Sequence, residues 1–95
     1  MILLKYARAH VFVTGDVRDF SFKYFAKEKS KHLDLKGWVR KLPSGEVEVL
    51  LEGLEEKIME MLEWCKKGPA IFKDNRLRVE FSDYVGEFEN FEIRH

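Results

Sequence analysis

Nine consecutive residues, Gly15-Asp16-Val17-Arg18-Asp19-Phe20-Ser21-Phe22-Lys23, hold the groups of this chain best suited to grip an anion. They combine a glycine, short polar side chains and two cations, and they join an alternating segment to one of helical periodicity. A loop in that place turns several backbone N–H groups toward one point, where the positive end of the helix dipole adds to the pull on an anion. The same residues also suit ordinary capping, since Asp19 and Ser21 can each accept from the first helical amides. For the pair Asp16 and Asp19, capping is favoured over a cation site or an acid–base pair.

Elsewhere the reactive residue types are scattered. His10, His32 and His95 share no metal-ligand spacing, and the single Cys65 falls on an apolar helical stripe. A thiol there packs rather than reacts, and one cysteine forms no internal disulfide. Neither a metal site nor a cofactor is expected.

The elements that must position the loop follow from periodicity. Ala7 to Thr14 alternates apolar and polar residues as a half-buried strand does, and Gly15 ends it. A helix follows from Phe22, with Phe22, Phe25, Ala26 and Leu33 on one face and Lys29 interrupting the stripe. Leu35 to Leu42 is a strand running into the turn Pro43-Ser44-Gly45. Beyond it, Val47, Val49 and Leu51 alternate with Glu46, Glu48 and Glu52, which are expected to face water. The second helix has the cleanest pattern: Leu54, Ile58, Met61, Leu62 and Cys65 form its stripe, and Gly68-Pro69 stops it. Leu77, Val79 and Phe81 mark a further strand, and Phe88 to Arg94 a short last one.

The order is β-α-β-β-α-β plus a terminal strand, the ferredoxin-like plan. The expected fold class is an α+β sandwich, two helices packed on one face of an antiparallel sheet with a short extra C-terminal strand. All 95 residues form one domain.

Composition narrows the partners. Seventeen basic residues balance seventeen acidic ones at a pI near 6.8, so the basic surplus of a general nucleic-acid binder is missing. The first fifty residues carry ten basic and six acidic groups and the rest carry seven and eleven, a split that suits attraction within one fold. Arg8, His10, Phe12, Arg76 and Arg78 fall on the polar side of their strands. A nucleic-acid surface there is disfavoured, because the strand from Glu46 to Glu52 has no aromatic on which a base could stack. Lys and Glu supply most of the charge and amides are few, the pattern of heat-adapted proteins. Met1 to Lys5 is too short an apolar run for a signal peptide or a membrane span, so a soluble, cytoplasmic monomer is expected.

Three motifs carry a resemblance to a known family. Gly15, Val17 and Phe22 stand in the loop, Gly37-Trp38-Val39 in the second strand, and Gly86, Phe88, Phe91, Ile93 and Arg94 at the end. In these the chain resembles the acylphosphatases, whose patterns are G-x-V-Q-G-V-x-F-R, G-W-V-x-N and G-x-F-x-x-F-x-I-R-Y, and the likeness spans nearly its whole length. The resemblance implies hydrolysis of the carboxyl–phosphate bond of small acyl phosphates, without metal or covalent intermediate. It implies a phosphate loop over Gly15, Asp16, Val17, Arg18, Asp19, Phe20, Ser21 and Phe22, which would also bind inorganic phosphate or sulfate.

Both catalytic positions of the family are substituted. Its phosphate-binding arginine is Lys23, a point donor in place of a bidentate fork. Its water-orienting asparagine is Lys41, whose ammonium has three donors and no acceptor. The loop departs too: the family's glutamine is Arg18, its second glycine is Asp19 and its next valine is Phe20. Asp19 adds a carboxylate beside the anion and removes backbone freedom. Losing one preorganised donor typically costs about 10²–10³ in rate. The expected activity is therefore weak or lost, and the alternative is a non-catalytic anion-binding or protein-interaction module on the same scaffold.

Overall fold

The computed structural model describes residues 4–15, 20–67 and 75–95. Its elements are β1 (Tyr6–Thr14), α1 (Phe20–His32), β2 (Lys36–Lys41), β3 (Val47–Leu54), α2 (Glu55–Lys67), β4 (Arg76–Asp83) and β5 (Phe91–Arg94). The five strands form one sheet in the order β4-β1-β3-β2-β5, with both helices on one face. The expected α+β sandwich is observed. The sheet is antiparallel except at the β2–β5 edge, which is parallel. The exception follows from topology: β4 runs opposite to β2, and the chain reverses once before β5.

Register decides which side chains meet the helices. Val11 lies opposite Val49 on β3 and Val79 on β4, and Val39 lies opposite Val49 from β2. Val11, Val13, Val39, Val47, Val49 and Leu51 are fully buried beneath the helices. From α2 come Ile58, Met61, Leu62 and Cys65, as their spacing predicts. Leu54 pairs with Tyr6 as the last residue of β3, and the helix opens at Glu55, whose N–H donates to the Lys5 carbonyl at 2.8 Å.

The first helix departs from its expected pattern. It begins at Phe20, so Ser21 lies inside the first turn instead of capping it, and Asp19 is outside the described residues. Phe25 is 40% exposed, whereas Ser30 is buried and its hydroxyl donates to Met61 Sδ at 3.6 Å. At about 100° per residue, Phe22, Lys23, Ala26 and Ser30 share one narrow arc, and Phe25 falls outside it. That arc turns Lys23 inward. Phe22 closes the layer by packing on Trp64 of α2, ring centres 5.4 Å apart.

The open face of the sheet is not a simple solvated surface. Glu48 and Glu52, expected to face water, are only 6% and 1% exposed. Glu48 sits between His10 and Arg40, at 2.5 Å from each. Burial is the largest influence on its carboxyl and pushes it up. Hydrogen bonds and charge from Arg40 and His10 together outweigh burial and leave it below its ordinary 4.5. Glu52 accepts from the N–H groups of Val85, Gly86 and Glu87, at 2.7, 3.1 and 3.2 Å, so the chain after β4 folds across it. Arg8 pairs with Glu52 and Glu87, and Arg78 stacks on the Phe12 ring at 4.1 Å. These cations are engaged within the fold.

Two glycines allow close approach. A Cβ on Gly37, at φ +136°, would lie 1.8 Å from the Leu50 carbonyl oxygen, so only glycine lets β2 lie this close to β3. Gly15, at φ +144°, abuts Asn75: a Cβ there would lie 2.4 Å from Oδ1 and 3.1 Å from Cα. Asn75 is buried, and its side-chain amide donates to the Cys65 carbonyl at 2.9 Å while its N–H donates to the Lys66 carbonyl at 3.2 Å. The end of β1 is thereby fixed against the end of α2.

Two substitutions test this packing. Leu62→Ala, on the buried stripe of α2, should cost roughly 2–5 kcal/mol in a denaturant melt. Gly15→Ala should cost about 1–3 kcal/mol, the scale of an overpacked and strained position. A melt unchanged by either would show that the stripe or the Asn75 contact carries no load.

Candidate functional site

Strand direction gathers the candidate residues at one pole. β1 and β2 are both antiparallel to β3, so they run the same way and end together, β1 before Gly15 and β2 at Lys41. Val13 and Lys41 each lie opposite Val47, which puts them in one row two strand spacings apart, about 9–10 Å. Lys41 follows Val39 by two residues and shares its side of the sheet, the side the helices cover. The first turn of α1, with Phe22 and Lys23, begins at this same pole.

The two substituted positions differ in environment. Lys23 is 9% exposed, a cation held against the body of the protein by the arc that buries Phe22 and Ala26. Lys41 is exposed at the end of its strand. Of the expected phosphate loop, Gly15 ends β1, and Phe20, Ser21 and Phe22 belong to α1. Phe22 is core as well as loop. Asp16, Val17, Arg18 and Asp19 lie outside the described residues.

Asn75 is the residue that sequence reasoning missed. It forms the wall against which Gly15 sits. Its one signal was rarity, as one of only two asparagines in the chain. Thr14, next to Gly15, also donates its hydroxyl to Glu46 at 2.9 Å, which ties the end of β1 to the β2–β3 hairpin.

Other candidates take their place as packing. Burial pushes the Cys65 thiol up to about 12, so it stays protonated and inert at neutral pH. Among the described residues no group of three His, Cys, Asp or Glu side chains could hold a metal ion. No helix among them is long and apolar enough to cross a membrane. A groove of about 390 Å³ lies at the opposite pole, bordered by Tyr6, Glu55, Met59, Phe81 and Asp83, away from both lysines.

The acylphosphatase family model matches residues 9–93. An acylphosphatase of Syntrophobacter fumaroxidans is 42% identical over 86 residues, covering 90% of this chain and 89% of its own. One of Aeropyrum pernix is 42% identical over 89 residues, covering 93% and 88%. The crystal structure of acylphosphatase from Bacillus subtilis superposes with a TM-score of 0.87 at 28% identity, covering 94% of this chain and 99% of that one. The extent of the family match and the identity to these relatives show that the chain belongs to the acylphosphatase family.

Proposed function

We propose that this protein hydrolyses the carboxyl–phosphate bond of small acyl phosphates, at a rate well below that of a family member with arginine and asparagine in place. Water attacks the phosphoryl group, the bond to the acyl oxygen breaks, and a carboxylate and inorganic phosphate leave. Lys23 supplies the charge that holds the phosphoryl oxygens. The observation that carries this reading is the burial of Lys23 in the first turn of α1. A cation fixed beside a helix N-terminus adds to the attraction that the positive end of the helix dipole exerts on an anion. Lys23 still lacks the two-pronged grip of a guanidinium.

Water placement is the weaker half of the chemistry. Lys41 donates only, so it cannot accept a hydrogen from the attacking water as an amide oxygen does. That deficit supports a second reading, in which the scaffold binds an anion or another protein without turnover. The two readings part on whether the missing groups are the whole defect.

Lys23→Arg restores the fork, Lys41→Asn restores an acceptor, and Asp19→Gly removes a carboxylate. Each alone should help little, because phosphate grip and water placement act as a unit. Together they should raise benzoyl phosphate hydrolysis by at least about 10², the scale of one recovered electrostatic contact. Circular dichroism confirms that both proteins are folded. A folded triple variant that stays inert would favour the binding module, and fast turnover by the natural chain would show that lysines suffice.

A further inference from the structure

We infer that Asn75 is a positioning residue of the anion site, fixing Gly15 at the point where the phosphate loop leaves β1. This rests on the anion-binding role proposed above for that loop, and it adds a residue that neither motif nor charge singles out. β1 and β4 pair as far as Thr14 and Arg76. The next residue on each side is Gly15 and Asn75, so Asn75 stands where the ladder stops and the loop begins. α2 ends at the same place, and the last carbonyls of a helix have no helical donors. Asn75 supplies two, its side-chain amide to the Cys65 carbonyl at 2.9 Å and its N–H to the Lys66 carbonyl at 3.2 Å.

These bonds decide which end of the carboxamide meets the loop. The NH₂ end only donates and is held at Cys65, so Oδ1 is the end turned to Gly15. A Cβ on Gly15 would lie 2.4 Å from Oδ1, 3.1 Å from Cα and 3.3 Å from Cγ of Asn75, so the glycine backbone lies flush on this wall. The wall is firm as well as close, because Asn75 is 6% exposed and bonded twice to a helix. Other residue types fail here. Aspartate would lose the donor to Cys65 and set a carboxylate beside an anion, and leucine would leave the Cys65 carbonyl unmet.

Glycine at φ +144° has wide conformational freedom, so a contact outside the residue must hold it in one state. Binding groups need to stay within about 0.5 Å of their working geometry. Asn75 provides that restraint by tying the start of the loop to the end of α2. The two move as one unit, and an anion bound at the loop is felt at the Asn75 side chain.

The sequence offers a clean probe. It has no glutamine and two asparagines, so its NMR spectrum holds two side-chain amide pairs, from Asn75 and Asn90. Asn90 lies at the opposite pole, where its carbonyl accepts from Gly37 near the start of β2, and serves as the internal control. During titration with inorganic phosphate, the Asn75 pair should shift with the same dissociation constant as the amides of residues 20–23. The Asn90 pair should stay still. Asn75→Ala, with its fold confirmed by circular dichroism, should bind phosphate at least about tenfold more weakly. Gly15→Ala should weaken binding to a similar extent. Adding Asn75→Ala to Gly15→Ala should cause little further loss, because both changes break the same contact.

A merely structural role would lower the stability of Asn75→Ala and leave its phosphate affinity unchanged, which would overturn the inference. Losses that multiply in the double variant would also overturn it, as would an Asn75 pair that stays still while the loop amides shift. Those results leave the proposed function standing. Loop amides silent to phosphate in the natural chain would overturn both.

Discussion

The pairing of β1 with β3 in one register is the constraint on which the rest depends. With Val11 facing Val49, the valines and leucines of both strands lie under the helices, and Arg8, His10, Glu48 and Glu52 lie on the open face. A slip of one residue would exchange the two sets. It would press glutamates against Ile58 and Met61, an arrangement far costlier than any single lost contact. The same register ends β1 and β2 at one pole, so Gly15, the start of α1 and Lys41 converge there. Apolar packing thus sets the pole at which the proposed site lies.

The open face reinforces that register from the other side. A buried carboxylate destabilises unless its charge is met, and here each one is met on several sides. Glu48 is clasped by His10 of β1 and Arg40 of β2, so one side chain of β3 holds both neighbouring strands. Glu52 draws three backbone amides of the segment after β4 onto the sheet. Removing one partner leaves the charge buried and unmatched, which makes these clusters specific as well as stabilising.

Much of this was legible in the sequence, for identifiable reasons. Strict alternation in β1 and the stripe of α2 each reflect a single buried face, and both match the structure except at Leu54, which closes β3 instead of opening the helix. The motif residues from Gly15 to Arg94 carried the family and the fold. The burial of Glu48 and Glu52 was hidden, because their partners lie on other strands and their own alternation with Val47, Val49 and Leu51 suggested a wet face. The arc of α1 differs from its apolar pattern at Phe25, which is 40% exposed, and a serine gives no apolar signal that Ser30 would be buried against Met61. Asn75 was invisible because its role is relational: it matters only where the end of α2 meets Gly15.

Fold and charge placement together define what was conserved in kind and what was altered. In the proposed reading, the scaffold keeps a cation, Lys23, beside the N-terminus of α1, while a two-pronged phosphate grip and an acceptor for the attacking water are missing at Lys23 and Lys41. The central claim is that Lys23 still binds a phosphoryl group. Titration with inorganic phosphate, followed by amide shifts of Gly15 and residues 20–23, tests it directly. Saturable shifts with a dissociation constant on the order of millimolar, lost in a folded Lys23→Met variant, are the predicted result. Amides silent to phosphate in the natural chain, or shifts that persist without Lys23, would contradict it.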